Sequence, residues 1–186
     1  GYFMRQSMVW TFLVSLWAAL IVAGTFRAIP IPGTPVPIVW QNMLAVMAGM
    51  VLGPVLGSAS VALFLAVGAL GLPVFSGARG GLAILAGPTG GYLAGYLVGT
   101  LVSGLILGSP KEGKVCPLWK SAVAALAGMA FVYIPGLLRL LFVFEGNWAK
   151  TLAVGFVPYV VGDLLKTAVM AVSVPKLRTA LVQLRQ

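Results

Sequence analysis

The chain contains no histidine, one cysteine (Cys116) and three acidic residues, Glu112, Glu145 and Asp163. A lone cysteine cannot close an intrachain disulfide, and without histidine there is no His/Cys metal cluster and no cysteine–histidine nucleophile. No G-x-x-x-x-G-K-[ST] run occurs, so the chain builds no P-loop for ATP. No nucleophile is paired with a base, which argues against an enzyme, and a single carboxylate in an apolar stretch makes no proton relay. An energy-coupled task would need another protein, and no cofactor or metal is expected.

Charge of either sign is scarce. Only 8% of residues are charged, against about a quarter in a soluble domain. The composition is 60% hydrophobic, with a mean hydropathy of +1.06. No charged residue lies between Arg5 and Arg27, between Arg27 and Arg79, or between Arg79 and Lys111. A helix spans the hydrocarbon with roughly 20 apolar residues, so these gaps predict a polytopic membrane protein. The apolar runs are continuous rather than alternating, so the spans are helices and not barrel strands. The net charge of +9 would suggest nucleic acid in a soluble protein. Here the basic residues are spread through loops and tails, which fits membrane topology, and the expected partner is the lipid bilayer. Gly1, Tyr2 and Phe3 precede Met4 and read as an addition to the native chain. The first apolar run is too long for a cleavable signal.

Six spans are predicted, at about 8–26, 38–52, 55–71, 88–107, 118–142 and 156–174, forming one compact bundle over 1–186. Proline-rich 29–37 should be a rigid extended loop, Gly53-Pro54 a tight hinge, 71–81 a glycine-rich loop, 108–117 a polar loop and Gly146-Asn147 the last turn. With both termini cytoplasmic, Arg5, Lys111, Lys114, Lys120, Lys176, Arg178 and Arg185 lie inside. Arg27, Arg79, Arg139 and Lys150 then lie outside, in the sense of the positive-inside rule. Spans two, four and six then begin at the outer surface.

Each of those spans opens with proline followed by polar or aromatic groups. Pro37 precedes Gln41 and Asn42, Pro88 precedes Thr89 and Tyr92, and Pro158 precedes Tyr159, Asp163 and Lys166. Proline suits a first helical turn, and the positive ends of three such helices could converge on a pocket open to the outside. Asp163 and Lys166 share one helical face at i, i+3. An ionisable pair in hydrocarbon is costly unless it faces the protein interior and finds partners. It reads either as a clamp for a small ligand or as a structural ion pair, and such burial rarely adds stability. Gln41 and Asn42 are ligand contacts or interhelical hydrogen-bond glue. Arg79 is a ligand contact or a solvated loop charge, and Tyr92 and Tyr159 are ligand walls or interfacial belt residues. Small-residue rows at Gly49, Gly53 and Gly57 and at Gly91, Gly95 and Gly99 suit close helix packing. A third, Ser15, Ala19 and Ala23 on the first span, packs internally or docks a separate membrane subunit.

Three segments, PGTPVPIVWQNM (32–43), GARGGLAILAGPTGGYL (77–93) and FVPYVVGDLLK (156–166), resemble in order and spacing the BioY family, the biotin-capturing S components of energy-coupling factor transporters. The resemblance implies a six-helix all-α membrane fold and high-affinity biotin capture from outside a prokaryotic plasma membrane. It also implies partnership with a transmembrane T component and two ATPase subunits, and members of the family also form homo-oligomers. Carried over, Asp163 accepts from a ureido N–H of biotin and Lys166 donates to its carbonyl. Gln41 and Thr89 complete the polar shell, and Tyr92 and Tyr159 cover the bicyclic faces. The carboxylate falls within reach of Arg79 or the Gly90 and Gly91 amides. Ala78 departs from any family member with a polar residue there. An S component for another vitamin and a self-sufficient secondary carrier are the competing readings.

Overall fold

The computed structural model describes residues 1–30, 32–33 and 35–186, so positions 31 and 34 of the proline-rich loop lie outside the described residues. The described chain is all-α. Helix α1 (Tyr2–Ala23) ends in a 3-10 turn, followed by α2 (Gln41–Leu52), α3 (Pro54–Ala69), a single turn α4 (Leu82–Ala86) and α5 (Gly90–Leu107). Then come α6 (Leu118–Val143), α7 (Trp148–Gly155) and α8 (Val157–Leu184). Helices α1 (with its 3-10 turn), α5, α6 and α8 are long and apolar enough to cross a bilayer. α2 and α3 are shorter, at 12 and 16 residues, or about 18 and 24 Å at 1.5 Å per residue. α2 is wrapped by the others, with ten of its residues buried, so it needs no long lipid-facing surface.

Glycines set the spacing between α5 and α6. A Cβ on Gly91, Gly95 or Gly99 would overlap the carbonyl oxygens of Pro135, Val132 and Gly128 respectively. Backbone thus packs directly on backbone, the contact that a small-residue face permits in lipid. Gly53, at φ +91°, makes the hinge between α2 and α3, and Pro54 starts α3 where its missing N–H costs nothing. The proline-rich loop doubles back, with Ile29 and Ile38 exchanging backbone hydrogen bonds of 2.8 Å.

Several boundaries depart from the sequence reading, and α1 begins at Tyr2 rather than at 8. The segment ahead of α5 contains α4, and Pro88 precedes α5 rather than opening it. The stretch 148–155, to which the sequence assigns no element, forms α7, and Asn147 of the expected turn caps it, its Oδ1 accepting from the Lys150 N–H at 3.0 Å. α8 runs ten residues past 174, straight through Pro175. The reason is tertiary: Arg178 donates to the carbonyls of Met50 (2.6 Å) and Gly108 (2.9 Å), fastening the end of α8 to the C-terminal ends of α2 and α5.

Candidate functional site

The starts of α2, α5 and α8 do converge, and α6 closes the space between them. They enclose an open-mouthed cavity of about 780 Å³, mouth included. Pro37, Val39 and Asn42 line it from the loop–α2 junction, Thr89, Tyr92 and Tyr96 from α5, and Tyr133 from α6. Tyr159, Asp163 and Lys166 line it from α8, while Ser76 and Arg79 come from the 71–81 loop. Pro158 lies in the first turn of α8, whereas Pro37 sits four residues ahead of α2.

The ion pair lies at this cavity. Lys166 Nζ is 2.9 Å from Asp163 Oδ1, with both side chains about nine-tenths buried. Lys166 also donates to Asn42 Oδ1 at 3.1 Å and to the Val39 carbonyl. All three ammonium hydrogens are therefore engaged. Asp163 Oδ1 additionally accepts from Asn42 Nδ2 at 3.2 Å, and Oδ2 accepts from the Tyr133 hydroxyl. A carboxylate offers about four acceptor positions, so among the described residues Oδ2 keeps one for a guest, and one N–H of the Asn42 amide is uncommitted. The indole of Trp40 lies 5.7 Å from Nζ, within cation–π range.

Aromatic rings build the walls. Tyr92 and Tyr133 meet edge to face at 6.1 Å, and Tyr133 meets Phe156 at 5.2 Å. Tyr96 stacks on Phe64 at 6.4 Å. Tyr92 spends its hydroxyl on the carbonyl of Gly155, the last residue of α7. Tyr159 donates to the Val36 carbonyl, so α8 holds the proline-rich loop at two points, Val36 and Val39. Thr89 lines the cavity, and its hydroxyl has no hydrogen-bond partner among the described residues. Arg79 is half-buried in the lining, its Nε donating to the Ser76 carbonyl at 2.9 Å. It is presented by a tight loop in which Phe75 and Arg79 exchange backbone bonds and Ala78 takes φ +58°. Arg79, Asp163 and Lys166 are the charged groups in the described lining, leaving a net +1.

The structure does not bring every expected residue to this cavity. Gln41 is fully buried behind it, donating to the Ile21 (3.0 Å) and Val74 (2.8 Å) carbonyls and accepting from Ser76 Oγ at 2.8 Å. It ties α1, α2 and the 71–81 loop together and positions Ser76. Gly90 and Gly91 lie against the Leu85 and Pro135 carbonyls, outside the lining. Ser15, Ala19 and Ala23 are exposed on α1, away from its packed face of Leu13, Trp17 and Ile21. Sequence reasoning missed Tyr133 and Tyr96. A tyrosine inside an apolar span has to find a partner for its hydroxyl, and that signal at Tyr133 marks the donor to Asp163.

The BioY family model matches residues 4–183. The biotin transporter BioY of Thermotoga maritima is 38% identical over 163 residues, covering 88% of this chain and 92% of its own. That of Rhodobacter capsulatus is 39% identical over 168 residues, covering 84% and 86%. A crystal structure of the S-component for biotin from an ECF-type ABC transporter superposes with a TM-score of 0.84. It shares 33% identity, over 94% of this chain and 93% of that one.

Proposed function

The chain belongs to the BioY family, and from that premise we propose that it captures biotin at the outer face of a prokaryotic plasma membrane for import. It is a transport protein, not an enzyme. The carrying observation is the cavity's charge layout: a neutral ion pair flanked by aromatic rings, with a separate guanidinium in the lining. Biotin matches it with an uncharged ureido head, an apolar bicycle and one carboxylate. A ureido N–H donates to the open position on Asp163 Oδ2. The ureido carbonyl accepts from Asn42, or from Lys166 once the ammonium releases Val39. Charge-assisted bonds in a dry pocket are the strong kind. Tyr92, Tyr96, Tyr133 and Tyr159 wall the rings, Thr89 offers its unpartnered hydroxyl, and Arg79 takes the carboxylate.

The topology belongs to the same proposal. Helices α1, α2, α3, α5, α6 and α8 are six spans, with α2 short because protein rather than lipid surrounds it. The shared surroundings of Lys111, Lys114, Lys120 and Arg178 at one end support cytoplasmic termini. So does the bond of Gln186 to Glu112 at 3.1 Å. Arg79 and Arg139 gather at the other end, where Arg139 donates to the Gly87 carbonyl. Without its own P-loop the chain takes its energy from a T component and two ATPase subunits. The exposed Ser15, Ala19 and Ala23 stripe is the docking face, toward the T component or a second copy.

The test is isothermal titration of the detergent-solubilised protein with biotin, riboflavin, thiamine and pantothenate. We expect biotin alone to bind, and the Asp163→Asn and Lys166→Met variants to weaken it at least tenfold, about 1.4 kcal/mol. Unchanged biotin affinity in either folded variant refutes the clamp at that residue, and binding of another vitamin in place of biotin refutes the substrate.

A further inference from the structure

At the far end of α5 from the biotin cavity lies a second concave site that the uptake reading leaves unused. Tyr92 and Leu107 are fifteen residues apart, so the two sites are separated by roughly 22 Å along the helix. The second cavity, about 690 Å³ with its mouth, lies where the end of α5, the 108–117 loop, the start of α6 and the tail of α8 meet. Lys111, Lys114, Lys120 and Arg178 line it, together with Ser109 and Cys116, and no carboxylate is in the described lining. Glu112, the acidic residue of that loop, accepts from Gln186 instead. The first turn of α6 adds the positive end of a 26-residue helix. Arg178 is fixed there by backbone carbonyls of Met50, Leu107 and Gly108, so its charge is held in place.

Four cations around one concavity without a counter-charge call for an anion. The surroundings say which source supplies it. Val115, Leu118 and Trp119 are 90%, 60% and 67% exposed beside the opening, and Leu105 and Val123 continue an exposed apolar surface along α5 and α6. Tryptophan at the end of a spanning helix sits at headgroup depth. A phosphate in the cavity would therefore have acyl chains lying along α5 and α6, which a free phosphate ion lacks. We propose that this cavity is a binding site for the headgroup of an anionic phospholipid. Basic pockets between spanning helices recognise such headgroups.

The experiment is native mass spectrometry of the intact protein from detergent micelles, with phosphatidylglycerol or phosphatidylcholine added at equal concentration. The wild type should retain phosphatidylglycerol at least fivefold over phosphatidylcholine. Each lysine near a lipid surface is worth roughly fivefold in affinity, so Lys114→Gln/Lys120→Gln should cut that retention by roughly tenfold or more. Arg5→Gln/Lys176→Gln, which removes two cations outside the cavity, should leave the preference intact. Biotin binding by the Lys114/Lys120 variant reports that it has folded. Equal retention of the two lipids by the wild type overturns the proposal. So does a preference that survives in the Lys114/Lys120 variant, or one that 10 mM inorganic phosphate abolishes, which would mark a small-anion site.

Discussion

Replacing Asp163 by asparagine keeps the shape of the side chain and removes one charge. The amide oxygen can still accept from Lys166 and Asn42, and the Tyr133 hydroxyl can rotate to accept from the new NH₂. What disappears is the attraction between opposite charges 2.9 Å apart, about 6 kcal/mol at an effective dielectric constant near 20. Lys166 keeps the Val39 carbonyl and Asn42 Oδ1, which offset part of the loss. A cost of about 3 kcal/mol follows, the lower end for breaking a buried pair. For a chain of this size that lowers the apparent melting temperature by about 6–12 °C. Lys166→Met should cost a similar amount, since it leaves a carboxylate held only by Asn42 and Tyr133. The double variant removes both charges, so its stability should return to within about 1 kcal/mol of wild type. The coupling between the two sites is then several kcal/mol. The assay is thermal unfolding of ligand-free protein in one detergent at one scan rate, followed by biotin titration. A double variant whose losses simply add refutes the pair as an energetic unit. A double variant that is stable and still binds biotin at wild-type affinity refutes the reasoning about the site.

Further outcomes follow from single contacts. Tyr133→Phe leaves Asp163 Oδ2 without its hydroxyl donor and should cost about 1–3 kcal/mol of stability, seen as a lower melting temperature of the ligand-free protein. Arg79→Gln should lower affinity for biotin at least tenfold while leaving biotinamide, which lacks the carboxylate, within twofold; an equal loss for both ligands rejects the assignment of Arg79 to the carboxylate. Gly95→Ala drives a methyl group into the Val132 carbonyl and should cost about 1–3 kcal/mol, seen as a lower melting temperature. Arg178→Met strips donors from the carbonyls of Met50 and Gly108 and should cost about 1.5–3 kcal/mol, with biotin affinity of the folded fraction unchanged.

The continuous apolar runs locate the spanning helices but not all of their ends: α6 begins at the expected residue and ends one residue past the expected end, whereas α1 starts six residues early and α8 ends ten residues late. That signal is strong because lipid forbids unsatisfied backbone. Asp163 and Lys166 were legible for the same reason: an ionisable group in an apolar run has to be explained. Other parts were illegible because they depend on tertiary contacts. Nothing local says that Gln41 faces backward to Ile21 and Val74 while its neighbour Asn42 faces the pair. Pro175 should stop a helix on local grounds, yet α8 continues, held by the anchoring of Arg178 on two other helices and the burial of Val174 and Leu181 on either side. The capping asparagine of α7 was visible but lay inside what reads as a turn.

The network around Lys166 bears on how occupancy could be sensed. In the structure the ammonium's third hydrogen bond goes to the Val39 carbonyl, part of the loop that precedes α2, and Tyr159 holds Val36 of the same loop. Lys166 has three donors and three acceptors around it, so a fourth acceptor can enter only by displacing one. Asp163 and Asn42 sit on packed helices and cannot retreat without exposing buried polar groups, whereas Val39 lies outside any helix. On the biotin-capture proposal, a ureido carbonyl that accepts from Lys166 rather than from Asn42 competes with Val39, and its entry loosens one of the two tethers from α8 to the loop ahead of α2. A pair of apolar residues would fill the same volume at lower desolvation cost, but it could neither hold the loop while the cavity waits nor exchange that hold for a ligand.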